Sequence, residues 1–199
     1  MGYDREFIAG NLRRWEKYLL EFNLPEWKTI PDIGLYMEQV ASLLKMYLDY
    51  LPPELKEEQF ITPATVNNYV RKKIMPQPVK KKYYRRHIAY LIIICTMKHC
   101  LTIPTLQTLL PNDLSDEALE ALYTAYAQRH RLVCGYFVDE VKKTAAGILG
   151  EESDDKLSTA STEELIITSA VISGFARLLA EKLMLLDGKG PGDPEKKEK

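Results

Sequence analysis

The sequence predicts a mainly α-helical bundle that contains one small two-stranded β-hairpin. Three observations predict this class. Apolar residues recur at helical spacing along most of the 199 residues, prolines interrupt that spacing, and one short basic, aromatic stretch follows a pair of prolines. Hydrophobic residues make up 46% of the chain, which is enough to bury a core, and the length suits one large domain or two small ones.

The N-terminal part of the sequence has two amphipathic helical patterns. Over residues 4–22 the apolar residues mostly recur three or four positions apart, and Asp4 can cap the start of this helix. A second pattern covers 35–51 and ends at two adjacent prolines. A polar, acidic connector follows over 54–60.

The middle of the sequence is divided by prolines. Thr62 and Pro63 predict a helix start, because threonine caps helices and proline is tolerated at the first helical position. Pro76 and Pro78 favour extended chain after this helix. The predicted elements of this part are a helix over 63–73, the small hairpin over 79–84, a helix over 85–99 and a brief helix ending at residue 110.

The C-terminal part has two long helical patterns. The first covers 115–149 and is expected to bend near Gly135, and an acidic linker over 150–160 follows it. The last helix, over 161–186, has apolar residues almost all round, which indicates deep burial or a partner. Residues 188–199 consist largely of glycine, proline and charged residues and are predicted to be a disordered tail.

The distribution of charge is more informative than the net charge of −1. Residues 59–112 contain nine Lys or Arg and no Asp or Glu, so this span carries +9 and the rest of the chain −10. Such segregation favours a polyanionic partner, most simply nucleic-acid phosphate. The alternative is a basic face that the protein's own acidic parts neutralise.

The helix predicted over 63–73 has one apolar stripe and one polar face. The residues opposite the stripe are Ala64, Asn67, Asn68 and Arg71. Asparagine and arginine can make bidentate contacts with adenine and guanine edges respectively, and a small alanine permits close approach. This face is therefore suited to the major groove of duplex DNA.

Four short motifs lie in this region: TVNNYV at 65–70, IMP at 74–76, KYYR at 82–85 and LTIPTLQTLL at 101–110. Together they resemble the winged helix-turn-helix of MerR-like transcription regulators, whose recognition helix reads Thr-Ile-Arg-Tyr-Tyr and whose wing contains Tyr-Arg. More closely, LYMEQV, ITPATVNNYV and KKKYYRRHIAYL together resemble an uncharacterised bacterial domain-of-unknown-function family related to MerR, over about 24–110. The resemblance implies a winged helix-turn-helix with a two-stranded β wing.

The residues and the resemblance together divide the chain into regions with different roles. The predicted regions are an N-terminal helix that packs on the core over 1–30, the MerR-like winged helix-turn-helix over 31–112, a C-terminal helical dimerisation or effector region over 113–187 and the disordered tail over 188–199. Ala64, Asn67, Asn68 and Arg71 are predicted to face bases. The residues predicted to contact phosphate are Thr65, Lys72, Lys73, Lys80, Lys81, Lys82, Tyr84, Arg85 and Arg86.

The expected function is that of a sequence-specific, duplex-DNA-binding transcriptional regulator. Its recognition helix would enter the major groove, its basic wing would lie on the backbone, and its C-terminal helices would form a homodimer. A small-molecule effector, the operator and the direction of regulation are left open. The alternative is a non-enzymatic interaction module whose helix-turn-helix is a scaffold and whose basic face binds an acidic partner. An RNA interpretation, with Tyr83, Tyr84 and Tyr90 stacking on unpaired bases, ranks below duplex DNA.

Other chemistry has little support in the sequence. Cys95, His99 and Cys100 lack the paired spacing of structural zinc sites, and no phosphate loop, nucleophile elbow or zinc-protease motif occurs. No segment has the uninterrupted apolar length of a membrane span or a secretory signal. The expectation is a cytoplasmic protein that is not an enzyme, takes no cofactor or metal ion and has no membrane partner.

Overall fold

Helices make up most of the protein, and the prediction of a mainly helical fold is confirmed. The computed structural model describes residues 2–49 and 61–187, and no strand forms within these two ranges. The predicted connector over 54–60 and tail over 188–199 lie outside the described residues. The helices are α1 (Arg5–Glu21), α2 (Met37–Tyr47), α3 (Pro63–Arg71), α4 (Arg85–Met97), α5 (Ile103–Leu109), α6 (Asp116–Thr144), α7 (Ala146–Leu149) and α8 (Thr162–Leu185).

Side-chain caps fix several of the helix starts. The Asp4 carboxylate accepts a hydrogen bond from the Phe7 N–H at 2.8 Å, as the sequence predicts for the start of α1. Thr62 caps α3 in the same way, since its hydroxyl accepts from the Thr65 N–H at 3.0 Å. A cap of this kind satisfies one of the four N–H groups that a helix start leaves without a partner.

Helix α4 is the centre of the main core. Nine consecutive residues, from His87 to Cys95, are buried, so the helix is enclosed on all sides. Helices α2 and α6 pack against it. The same core extends from Leu24, before α2, to Tyr123 in α6, and the Tyr123 hydroxyl donates to the Pro25 carbonyl at 2.8 Å.

A second, smaller cluster joins α1 to the end of α6 and to α7. Ala9, Ala145, Ile148 and Leu149 are its buried members. Polar contacts flank it, because Lys142 pairs with Glu16 at 2.7 Å between Nζ and Oε1. The N-terminal helix is therefore held on the C-terminal half of the chain.

The helix predicted over 115–149 is not interrupted near Gly135, where the sequence predicts a bend, but further along the chain. Helix α6 continues through Gly135, since one glycine in a helix costs only about 1 kcal/mol and need not break it. The helix ends instead at Thr144, whose carbonyl accepts a hydrogen bond from the Thr159 N–H at 2.9 Å. Gly147 permits this contact, because a Cβ there would lie 2.7 Å from the Thr159 carbonyl oxygen.

The chain over 79–84 differs from the predicted two-stranded wing. In the described residues it forms two isolated antiparallel bridges, Val79 with Lys82 and Tyr83 with Leu35. The ladder stops there because its next hydrogen-bonded pair would be Gln77 with Tyr84, and the His87 ring takes the Gln77 carbonyl and the Tyr84 N–H instead. The result is a tight two-residue turn attached to the segment before α2.

Helix α8 has the predicted extent but contributes no buried residue. Its apolar side chains are therefore not covered by the described part of the chain. Within the described ranges, no helix combines the length and apolarity that crossing a bilayer requires.

Candidate nucleic-acid interface

Helix α3 presents the face that the sequence predicts for base contacts. Val66 and Tyr69 are buried against the core, whereas Ala64, Asn67 and Arg71 are exposed. Asn68, the fourth predicted base-facing residue, is half-buried, and its side-chain oxygen accepts from Arg71 Nη2 at 3.0 Å. The four side chains thus share the outer side of one short helix.

The end of α3 has a lysine where helices commonly have glycine. The Ile74 N–H donates to the Tyr69 carbonyl at 2.9 Å and the Lys73 N–H to the Val70 carbonyl at 3.0 Å. These two bonds form a Schellman motif, which requires left-handed backbone at the residue after the cap. Lys73 occupies that position with φ of 55°.

The turn that follows Pro78 contains two more lysines with left-handed backbone. Val79 and Lys82 exchange backbone hydrogen bonds of 3.0 and 2.9 Å, and the two residues between them, Lys80 and Lys81, have φ of 50° and 63°. A two-residue turn with positive φ at both positions matches the right-handed twist of a hairpin and strongly prefers Asn-Gly or Asp-Gly. This chain has Lys-Lys instead.

These three lysines are the non-glycine residues with left-handed backbone in the described part of the chain. Left-handed backbone costs an ordinary L-residue about 1 to 2 kcal/mol, because its Cβ approaches the following carbonyl oxygen. Lys73, Lys80 and Lys81 are all exposed, so no packing of their side chains offsets that cost. A positively charged side chain at each position is the feature that glycine or asparagine would not supply.

The turn is held against the segment before α2 by close backbone contact. Tyr83 and Leu35 exchange hydrogen bonds of 2.8 and 2.9 Å. Beside them, a Cβ on Gly34 would lie 2.7 Å from Lys82 Cδ and 3.1 Å from the Tyr84 hydroxyl. The Lys82 ammonium lies 5.5 Å from the centre of the Tyr36 ring, so this lysine folds back on the protein.

Buried His87 anchors the other side of the turn. Its Nδ1 accepts from the Tyr84 N–H at 3.0 Å, so the proton of the neutral ring is on Nε2, which donates to the Gln77 carbonyl at 2.9 Å. Burial lowers the pKa of His87 below its ordinary value of 6.5, and the neighbouring Arg86 guanidinium acts in the same direction. The neutral imidazole thus bridges both flanks of the lysine turn.

Arg85 and Arg86 lie against acidic residues of the same chain. Arg85 Nε donates to the Ile30 carbonyl at 2.8 Å, and its Nη1 lies 3.8 Å from Asp32 Oδ2. Arg86 Nη1 lies 3.3 Å from Asp116 Oδ1, at the start of α6. The two arginines therefore connect α4 to its neighbours.

A cleft of about 460 Å³ lies beside these arginines. Its wall includes Trp27 and the carboxylates of Asp32, Asp116 and Glu120. Carboxylates outnumber the cations there, which makes the cleft unsuitable for nucleic-acid phosphate. The positively charged surface lies elsewhere, on α3 and on the turn.

The remaining predicted phosphate contacts differ in their surroundings. Thr65 is half-buried and bonded through its own N–H to the Thr62 cap, and Tyr84 is half-buried with its ring 6.3 Å from that of His87. Lys72, Lys73, Lys80 and Lys81 are exposed, and none pairs with a carboxylate of the described residues. These four lysines and Arg71 are called the lysine face below.

The cysteines do not form a metal centre with His99. Cys95 is fully buried and Cys100 is exposed, so their sulfurs are in different environments. Burial raises the pKa of the Cys95 thiol to about 12, which keeps it protonated and unreactive. Within residues 2–49 and 61–187, no three His, Cys, Asp or Glu side chains are placed to hold a metal ion.

The comparisons with known proteins concern the part of the chain that carries this surface. A family model described as "Domain of unknown function (DUF1836)" matches residues 25–127, a little over half of the chain. The chain belongs to the DUF1836 family. The DUF1836 match includes the lysine face and the first part of α6, and it leaves α8 outside. No curated protein and no solved structure matches the chain.

Substitution of Gly34 by alanine tests the contact that positions the turn in this DUF1836 protein. The new Cβ would overlap Lys82 and Tyr84, so we expect the free energy of unfolding to fall by roughly 1–3 kcal/mol. Urea denaturation measures the change. Gly10→Ala is the matched control, because a Cβ at this helical position meets nothing within 4 Å, and it should be neutral or stabilising. Equal effects of the two substitutions would contradict the role of Gly34.

The neutral state of His87 predicts a pH dependence. Its folded-state pKa is lowered, so the unfolded chain binds the proton first as the pH falls below the ordinary histidine value of about 6.5. We expect the free energy of unfolding to be constant above that pH and to decrease towards pH 5. Chemical denaturation at a series of pH values measures it.

His87→Gln should reduce this dependence, and adding His130→Gln should reduce it further, because burial also lowers the pKa of His130. If the His87→Gln variant kept the full dependence of the natural chain, His87 would not be the titrating group.

Proposed function

We propose that this DUF1836 protein is a sequence-specific, duplex-DNA-binding transcriptional regulator of the MerR-like, winged helix-turn-helix type. Helix α3 enters the major groove, the lysine turn lies on the phosphate backbone as a minimal wing, and a homodimer formed through the C-terminal helices presents two such units. The observation that carries the proposal is the set of exposed, left-handed lysines, Lys73 at the end of α3 and Lys80 and Lys81 in the turn that follows α3 along the chain.

The lysine face has the charge that a phosphate backbone requires. Its five cations lie outside any ion pair with the described carboxylates, and the span from 59 to 112 contains no acidic residue. Such cations have no ion pair to break, so little free energy is needed to replace their water by phosphate. The release of counterions from DNA favours this replacement. Their sum is a sequence-independent attraction that sets the register of the protein on the duplex.

The polar face of α3 supplies the groups for base recognition. Asn67 and Arg71 are exposed, and Ala64 leaves room for close approach at the start of the helix. The hydrogen bond from Arg71 to Asn68 holds the guanidinium along the helix in the absence of DNA. Exchange of this bond for a guanine edge would cost little, because both states satisfy the donor.

A second candidate function is an interaction module that binds an acidic protein. The ion pairs of Arg85 with Asp32 and of Arg86 with Asp116 favour it, since part of the basic span is already neutralised within the chain. These pairs involve two of the nine cations and leave the lysine face uncovered by described carboxylates. Duplex DNA therefore ranks first, and the affinity for DNA relative to an acidic peptide decides between the two.

The first test is a salt titration of binding to random duplex DNA. About five phosphate contacts per protomer predict a slope of log affinity against log salt of roughly −9 for the homodimer, which is −4.5 for each protomer. Selection from a random duplex library should then enrich one motif, and Asn67→Ala should broaden that motif. A slope near zero, or tighter binding to polyglutamate than to DNA at equal salt, would contradict the proposal.

A paired substitution separates the role of charge from that of the fold. Lys80→Asn with Lys81→Gly gives the turn the residues that its backbone prefers, so we expect the free energy of unfolding to rise by roughly 1–2 kcal/mol. The same change removes two cations from each protomer, so the slope of the salt titration of the homodimer should become less steep by roughly 4. Urea denaturation and DNA titration measure the two effects.

The matched control removes two exposed lysines outside the basic span, Lys17→Gln with Lys156→Gln, and should leave the slope unchanged. A paired turn variant that is both more stable and unaltered in DNA binding would show that the two turn lysines do not contact phosphate.

A further inference from the structure

Helix α8 is an apolar helix without cover. It is 24 residues long, none of its residues is buried, and all eleven residues over 169–179 are exposed. Phe175 is 68% exposed and Leu179 61%. The exposed large apolar residues from this helix and its C-cap are Ile166, Ile167, Val171, Ile172, Phe175, Leu178, Leu179, Leu183, Leu185 and Leu186. A surface helix with an apolar stripe normally turns that stripe inward, so this one lacks its packing partner.

The chain itself touches α8 mainly near the ends of the helix. Leu165, in the first turn, packs against the cluster between α1 and α7, and Ala180, near the last turn, packs against the main core. Between these points the helix is exposed for three turns. Its ends are fixed while its middle is open on all sides.

A second uncovered apolar surface lies on the central part of α6. Leu132, Val133 and Tyr136 are 68%, 54% and 67% exposed. At about 100° per residue they share one face of α6 with Phe137, whose ring contacts Trp15 at 5.8 Å between centroids. This face and the middle of α8 are the two largest runs of exposed apolar side chains on the C-terminal half.

We propose that a second copy of this chain covers both surfaces, with the two α8 helices antiparallel and flanked by the exposed faces of the two α6 helices in an intermolecular four-helix bundle. The inference concerns the homodimer included in the proposed function and specifies its interface. The evidence for this dimer is the exposure of apolar side chains on α6 and α8, and it is independent of DNA binding.

The apolar area matches what a stable dimer buries. Ten large side chains on or just after α8 are exposed, and each would bury on the order of 100 Å². Two copies would bury about 2,000 Å² in total through α8 alone, at the upper end of the range for specific protein interfaces. A helix exposed on all sides also needs contacts on more than one side, which a second copy supplies with its α8 and its α6.

The charges of α8 favour an antiparallel second copy. Glu163 and Glu164 lie in the first turn and Lys182 in the last, with the midpoint of the helix between Ser173 and Gly174. An antiparallel pair brings Glu164 of one copy within one turn of Lys182 of the other, whereas a parallel pair places like charges together. Arg177 pairs with Glu181 at 2.9 Å on the same helix, so these two charges offset each other. The surface is thus complementary to itself.

Sedimentation equilibrium of the full chain tests the proposal. The natural chain should be a dimer at micromolar concentration, and Phe175→Glu with Leu179→Glu should raise the dimer dissociation constant at least about 100-fold. Leu132→Glu with Tyr136→Glu on α6 should do the same. The control is Met46→Glu, since Met46 is 63% exposed on α2, outside both surfaces, and the dimer should persist.

The α8 variants remain testable because the helix contributes no buried residue, so the rest of the chain should still unfold cooperatively. A natural chain that is monomeric at about 100 µM would overturn the proposal. So would dimers that are insensitive to both pairs of substitutions. If the monomer instead co-sediments with anionic lipid vesicles, a membrane surface covers α8 and the proposal is wrong.

Cross-linking tests the antiparallel arrangement in a chain with Cys100→Ser and Cys134→Ser. Ile172→Cys, near the midpoint, should couple two copies through a bismaleimide of about 10 Å, because antiparallel helices place the two sulfurs near that distance. Glu164→Cys should not couple, since the two copies of residue 164 would lie about 28 Å apart. Efficient coupling at both positions would show a parallel pair. These outcomes do not depend on DNA binding, so failure of the dimer and failure of the proposed function are distinguishable.

Discussion

The burial of α4 on all sides is the constraint on which the rest of the structure depends. Nine consecutive buried residues leave no polar face for solvent, so α2, α6 and the segments between them must surround the helix. Ile88, Leu91 and Ile94 of α4 are fully buried in the core. Surface helices tolerate small shifts, whereas a helix enclosed in this way is fixed in position, because interiors are packed as densely as organic crystals.

This fixed helix also positions the candidate interface. The first turn of α4 carries His87, which bonds to both flanks of the lysine turn, and Arg85 and Arg86, which bond to the segments before α2 and α6. The turn is therefore a short, strained loop on a rigid base. Strained backbone persists only where the surroundings determine it, and here a buried histidine and the Tyr83–Leu35 bridge do so. The arrangement holds two lysine side chains outward without any packing of their own.

Much of the fold could be predicted from the sequence because helical spacing and capping residues are local signals. The starts of α1 and α3 follow from Asp4 and Thr62, each of which caps its helix as expected. The end of α6 could not be predicted, since it depends on a backbone contact with Thr159, fifteen residues further along the chain. Gly135 does not indicate where the helix ends, because one glycine costs a helix only about 1 kcal/mol wherever its carbonyls bond.

The sequence predicts which side chains α3 turns outward, but it does not predict the backbone conformation of the lysines around them. The outward face of α3 follows from the helical period, and its burial pattern agrees with that expectation. The backbone conformation of Lys73, Lys80 and Lys81 was not predictable, because lysine gives no signal for left-handed backbone and the expected glycine or asparagine is missing. The sequence also does not show which cations of the basic span form ion pairs within the chain. Tertiary contacts pair Arg85 with Asp32 and Arg86 with Asp116.

This division of the cations has a physical basis in the two side chains. An arginine that is partly buried can satisfy several donors at once through its planar fork, as Arg85 and Arg86 do with one carbonyl and one carboxylate each. A lysine is a compact, strongly hydrated charge and is better kept in water until an anion replaces that water. The basic span thus has an internal, structural part made of arginine and an external part made largely of lysine. Only the external part is available to a partner, and its cost in backbone strain is what distinguishes it from an ordinary solvated surface.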